Sequence, residues 1–210
     1  MSRAGAGTCV GRPLAGIDLA IIKISDQPIS RLSETTRLKP GERGEIIVSG
    51  AVVTRGYHNN PEATALAKIW DGEKLWHRMG DIGYLDEHGR LWFCGRVAHR
   101  VITPRGTMLP IPCEAIFNEH PEVSRSALVG IPSSAEPNFA EPVIVLELHE
   151  KTGFDRGQIL KEVRLLADHS PLTKDITHFL FHPAFPVDIR HNAKIFREKL
   201  AIWAQQKIKP

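Results

Sequence analysis

The sequence predicts an α+β fold built in two parts, and three observations carry that expectation. Strand-and-turn patterns fill the first half, helix and strand alternate through the second, and the texture changes near Gly95-Arg96. The length of 210 residues suits one large domain or two small ones, and a chain this size buries about 70% of its unfolded surface without staples. Ile17 to Ile24 is an apolar run read as a strand. Gly44 to Ser49 is a second, entered through the turn Gly41-Glu42-Arg43-Gly44. Pro61-Glu62 opens a helical stretch of Ala, Leu and Lys, with both residues where a helix start favours them. Leu75 to Met79 and Gly83 to Leu85 lead into the turn Asp86-Glu87-His88-Gly89 and then Leu91 to Cys94, an alternating aromatic pattern expected to be a hairpin. Beyond the texture change, Cys113 to Asn118 reads as a short helix, Val123 to Ile131 and Pro142 to Leu148 as strands, and residues 155–168 as a helix capped by Asp155. Ile176 to Phe181 is expected to be a strand and Ile195 to Gln205 an amphipathic last helix. Residues 3–14, with Gly5, Gly7, Gly11 and Pro13, read as a loop that offers no strand to a sheet edge, as though the chain began mid-fold.

Composition narrows the function classes. The 27 basic and 24 acidic residues leave a net charge of +3, too mild and too interspersed to argue for nucleic acid or a membrane surface. Cys9, Cys94 and Cys113 are far apart and form no CxxC, so neither a disulfide framework nor a metal site is expected. No apolar run approaches the ~18 residues of a membrane span. Residues 1–8 lack the apolar core of a signal peptide, so a cytoplasmic protein is expected.

Three constellations carry candidate chemistry. Asp81, after Gly80, is expected at a tight strand-to-strand turn, where a carboxylate accepts two charge-strengthened hydrogen bonds from a vicinal diol such as ribose. Taken alone, it serves equally to close a turn onto its own backbone. Arg96 offers a planar fork to the same sugar or to a phosphate, or is simply a surface residue at a strand end; His99 and Arg100 are expected to be solvated. Lys194, in Arg190-His191-Asn192-Ala193-Lys194, places a concentrated positive charge on a loop before the last helix, with His191 and Asn192 as possible support. The bland alternative there is a solvated basic turn. No GxGxxG, GxxxxGK[ST] or GxSxG motif occurs.

Order and spacing join these signals. Gly11-Arg12-Pro13-Leu14, Gly44-Glu45-Ile46-Ile47-Val48-Ser49-Gly50, Gly56-Tyr57, Asn60 to Thr64, His77 to Asp81, Gly83 to Gly89 and Gly95-Arg96 run in sequence. As an ordered set they resemble the later part of the AMP-forming acyl-adenylate ligases, the superfamily of acyl-CoA synthetases, luciferases and peptide-synthetase adenylation domains. Within it, His77 to Asp81, Cys94 to Val101, Ile111 to Phe117 and Val187 to Ile195 look like the olefin-pathway β-lactone synthetases.

The resemblance implies an incomplete antiparallel barrel-like subdomain over residues 1–95, a hinge at 96–98 (Arg96, Val97, Ala98) and a small mixed α+β lid over 99–210. It implies that Asp81 and Arg96 hold the ribose of ATP and that Lys194 meets the substrate carboxylate and α-phosphate, with Mg²⁺ assisting. The implied substrate is a β-hydroxy fatty acid closed to a β-lactone, with other olefin-pathway enzymes as possible partners. An acyl-CoA synthetase or adenylation domain is the alternative, and a non-catalytic lid module the alternative of another class. Four departures stand out. Met79 replaces the usual Thr, and Ala98 replaces an acidic or Lys hinge. Ala193 replaces Gly, and residues 102–112 form a longer segment that weighs against CoA as acceptor. The phosphate loop, adenine pocket and most of the acyl pocket of such enzymes find no counterpart, so the chain is expected to be the C-terminal part of a longer enzyme and inactive alone.

Overall fold

A computed structural model describes residues 5–150, 153, 155–188 and 190–208, with the side chains of residues 191–193 outside that set. The chain divides into two compact units. One is Gly7–Ala98; the other is His99–Pro210, joined by the residues before Gly7.

Gly7–Ala98 is an antiparallel sheet of β1 (Thr8–Gly11), β2 (Ile17–Ile22), β3 (Gly44–Gly50), β4 (Lys68–Asp71), β5 (Lys74–Leu85) and β6 (Leu91–Arg96), curled as a half-barrel. The order is β1-β6-β5-β3-β2. The long strand β5 pairs with β3 along one side, and on the other with β4 through its first residues and β6 through its last. Inward-facing Ile22, Ile47, Ile69 and Trp76 pack with Ile29 and Leu32 into the core of this unit. Helix α1 (Pro61–Ala67) starts as expected, with Asn60 Oδ1 accepting the Ala63 N–H at 3.0 Å. At the β5–β6 turn Asp86 Oδ1 accepts the N–H groups of His88 and Arg90, and Gly89 takes φ +71°.

Two expectations fail here. Residues 3–14 were expected to give no strand, yet Thr8–Gly11 pairs with β6 through Thr8–Phe93 and Cys9–Trp92, because an edge strand needs only a few backbone groups and tolerates glycine at its end. Met79 to Gly83 is not a turn between strands: β5 runs unbroken through it.

The second unit centres on β11-β10-β9, with β9 (Val123–Pro132) antiparallel and β11 (His178–Phe181) parallel to β10 (Ala140–Leu148). Both faces are covered, which is why β9 and β10 read as continuous apolar runs. Leu128, Ile144 and Leu146 meet Phe117 of α2 (Pro110–Phe117) and Ile159, Val163 and Ala167 of α3 (Arg156–Asp168). Ala127, Val129, Ile131, Val143 and Val145 meet Leu200 and Ala204 of α4 (Arg197–Ile208). Asp155 caps α3 as expected, accepting from Gly157 and Gln158. Two hairpins complete the unit: β7 (Val101–Thr103) with β8 (Gly106–Met108), and β12 (Val187–Asp188) with β13 (His191–Ile195). Ile195 therefore ends a strand instead of starting the last helix, and Lys194 lies in a strand instead of a loop. Among the described residues no helix is long and apolar enough to cross a membrane.

Candidate functional site

The register of β5 explains how Asp81 is presented. Glu45 pairs with Ile82 and Ile47 with Arg78, so Met79, Gly80 and Asp81 stand opposite the single residue Ile46. This bulge re-aims the side chains it carries. Gly80 at its centre takes φ +66°, a backbone conformation open to glycine. On the other side of β5, Asp81 pairs with Arg96 in register. Arg96 Nη1 donates to Asp81 Oδ1 at 3.0 Å and to the Met79 carbonyl at 3.2 Å, so the arginine braces both the carboxylate and its bulge. The Arg96 side chain is 52% exposed and that of Asp81 21%. Burial raises the Asp81 carboxyl above its ordinary value, while the charge and hydrogen bond of Arg96 pull the other way. The pair is a half-dry acceptor beside an open donor, suited to the hydroxyls of a sugar.

Behind the bulge lies a pair that sequence reasoning missed. Arg78 Nη2 meets Glu45 Oε2 at 2.7 Å, with side-chain exposures of 6% and 3%. Arg78 Nε donates to both Glu45 oxygens at 3.1 Å, and its remaining N–H groups reach the carbonyls of Ser25, Gln27 and Leu66. One guanidinium thus ties β3 and β5 to the loop after β2 and to the end of α1, at the neck of the bulge. Strand alternation held the signal, because Arg78 falls on the same face as buried Trp76.

Val97 to His99 forms a 3-10 turn, with Val97 half-buried and Ala98 exposed as the last residue of its unit. His99 is not simply solvated as expected: Nε2 lies 3.3 Å from Glu198 Oε1 on α4, and the histidine side chain is 19% exposed. Glu198 is carried there by α4, whose Leu200 and Ala204 pack against β9 and β10.

Lys194 occupies a second bulge. Val187 pairs with Ile195 and Asp188 with His191, so residues 192–194 have no partner on β12. Lys194 is exposed. The Asp188 carboxyl is held below the ordinary carboxylate range, first by the Arg190 side chain and then by the Arg190 N–H, with the charge of Lys194 adding to the effect. The side chains of His191 and Asn192 lie outside the described residues. Asp81 and Arg96 come together in one unit, and Lys194 belongs to the other. Among the described residues no three His, Cys, Asp or Glu side chains gather as a metal site.

No family model matches the chain. The olefin beta-lactone synthetase of Xanthomonas campestris pv. campestris is 46% identical over 98% of this chain and 37% of that protein. Its counterpart from Stenotrophomonas maltophilia is 45% identical over 99% of this chain and 38% of that protein. The 2-succinylbenzoate–CoA ligase of Geobacillus kaustophilus is 38% identical over 58% of this chain and 22% of that protein. Among solved structures, the amide bond synthetase McbA from Marinactinospora thermotolerans superposes with a TM-score of 0.73 at 26% identity, over 93% of this chain and 36% of that one. The chain thus spans a little over a third of the length of the curated synthetases it matches.

Proposed function

We propose that this chain, a homologue of the olefin beta-lactone synthetases with the fold of the AMP-forming ligases, is part of an enzyme that adenylates an acyl carboxylate with ATP. The observation that carries the reading is the Asp81–Arg96 contact of 3.0 Å, set in a bulge on a chain with those relatives. In the proposal Asp81 accepts from the ribose hydroxyls and Arg96 donates to the same sugar. Val97 and Ala98, with Arg96, form a hinge between the two units, and His191 and Asn192 support the hairpin of Lys194.

The reaction has two steps. A carboxylate oxygen of the acyl substrate forms a bond to the α-phosphorus of ATP, and the bond from that phosphorus to the β-bridging oxygen breaks. Pyrophosphate leaves with the electron pair. Negative charge builds on the phosphoryl oxygens, where the Lys194 ammonium stabilises the transition state more than the ground state. Mg²⁺ belongs to the proposal as the ion accompanying the ATP phosphates, screening their charge. In the second step the β-hydroxyl oxygen of a β-hydroxy fatty acid bonds to the acyl carbon and releases its proton to solvent, while the bond from that carbon to the phosphate oxygen breaks and AMP leaves with the electron pair. Tethering the nucleophile to the electrophile makes this closure intramolecular, which offsets part of the four-ring strain. The product is a β-lactone for olefin synthesis, in a cytoplasmic setting with other enzymes of that route as partners.

The identity to a CoA ligase over 58% of the chain favours one second reading, transfer of the acyl group to a thiol. An acceptor assay on the complete enzyme separates the two. The proposal expects β-lactone from ATP and a β-hydroxy fatty acid with no thiol present. Thioester formed only when CoA is added would replace it with the second reading.

A further inference from the structure

Next to the hairpin that carries Lys194 lies a buried ion pair that joins α2 to α4, with the backbone of β9 bonded to both partners. Glu114, on the otherwise apolar helix α2, is 7% exposed in its side chain, and Arg197, the first residue of α4, is 13% exposed. Arg197 Nη1 contacts Glu114 Oε1, and Nη2 donates to Oε2 at 3.0 Å, a two-pronged pair that fixes the guanidinium in orientation as well as place. Strand β9 completes the lock: the Leu128 N–H donates to Glu114 Oε1 at 2.7 Å, and the Leu128 carbonyl accepts from Arg197 Nη1 at 3.2 Å. A buried carboxylate and guanidinium therefore have acceptors and donors for most of their capacity, the condition under which such a pair holds one geometry.

That lock sits at the foot of the lysine hairpin. Between Lys194 and Arg197 lie Ile195, which pairs with Val187, and Phe196, whose N–H donates to the Pro186 carbonyl at 2.9 Å. Residues 192–194 stand opposite no residue of β12. The hairpin's bonds at Ile195 and Phe196 lie directly beside Arg197 in the chain.

We propose that Glu114 and Arg197 are positioning residues for Lys194: the pair fixes where the bulge begins and so delivers the ammonium at a set place. This rests on the reading of Lys194 given above. It also assigns work to Glu114, which the helix does not need for its own packing, and to the bidentate fork of Arg197, which a lysine does not reproduce.

The test is a double-mutant cycle on single-turnover adenylate formation by the complete ligase carrying this chain, with hydrogen exchange of the hairpin measured alongside. Glu114→Gln keeps the shape and removes the charge. It is expected to slow adenylate formation by about 10- to 100-fold, the scale of a small misplacement of a catalytic group. The Kd for ATP is expected to change by less than about twofold, because the effect falls on the transition state. In a Lys194→Ala background the same substitution is expected to alter the rate by less than about twofold, since its effect runs through the lysine. The amides of Ile195 and Phe196 are expected to exchange faster, and those of α3 to be unchanged. Where Glu114→Gln does not fold, Arg197→Lys takes its place in the same cycle.

Full, multiplicative losses in the double variant would overturn the positioning role, because a purely structural pair slows both backgrounds equally. So would a Glu114→Gln rate equal to wild type, or unchanged exchange at Ile195 and Phe196. A Lys194→Ala enzyme that forms adenylate at the wild-type rate would instead refute the reading of Lys194 on which the proposal stands.

Discussion

Removing the Arg78 guanidinium while keeping its bulk, as in Arg78→Met, leaves the Glu45 carboxylate 3% exposed with its cation gone. Breaking one side of a buried pair costs about 3–5 kcal/mol, because the surviving charge is left uncompensated. The structure adds three carbonyls, of Ser25, Gln27 and Leu66, that lose a charged donor. Two of them lie in the loop after β2 and one in α1, where water can replace the lost donor, so they add little to the cost of the stranded carboxylate. A loss of this size approaches the whole stability of many domains. The assay is urea unfolding followed by tryptophan fluorescence, with Trp76 in the same core as reporter. The double variant Arg78→Met/Glu45→Leu removes the stranded charge and leaves only the carbonyls unmet, at about 1–3 kcal/mol. A single variant that loses less than about 1 kcal/mol, or a double variant no more stable than the single, would refute the reasoning.

Gly80→Ala places a side chain on a backbone at φ +66° where an added Cβ meets nothing within 4 Å, so its cost is conformational, about 1–2 kcal/mol by urea unfolding, with weaker AMP binding as the bulge shifts. At Asp86 burial opposes the charge, but hydrogen bonds from Trp92, from the N–H and side chain of Arg90, and from the His88 N–H outweigh it and hold the carboxyl well below the ordinary carboxylate range. A depressed folded value means this contribution is complete above the unfolded pKa of about 4 and is lost as pH falls through the folded one. The gap in urea midpoint between wild type and Asp86→Asn is therefore expected to be widest near neutrality and to narrow in acid.

How much of this was legible follows from which interactions are local. Strands β2, β3, β9 and β10, helices α1 and α3 and the cap at Asp155 rest on alternation, turn residues and caps, all written in short windows. The α+β class follows from them. Strand β1 was missed because it is made by β6, far away in sequence, and not by its own glycine-rich residues. A glycine inside an aromatic strand suggests a turn at Asp81; a bulge looks the same until the partner strand supplies the register. Lys194 also sits in a bulge, and a bulge leaves no alternation from which a strand can be read. Motif order points to Asp81, Arg96 and Lys194, but not to Arg78 with Glu45 or to Glu114 with Arg197. Their signal was present in one form: a charge inside an apolar window, as in Ile111 to Phe117, calls for an opposite charge somewhere in the fold.

The central claim is that Lys194 supplies charge to an adenylation transition state on a nucleotide held through Asp81 and Arg96. Single-turnover formation of acyl-adenylate from ATP and a β-hydroxy fatty acid, by the complete ligase and its Lys194→Ala variant, tests it most directly. The Lys194→Ala rate is expected to be lower by about 10²–10³, the scale of losing one preorganised stabilising donor, with little change in ATP binding. Adenylate formed by Lys194→Ala at the wild-type rate would contradict it.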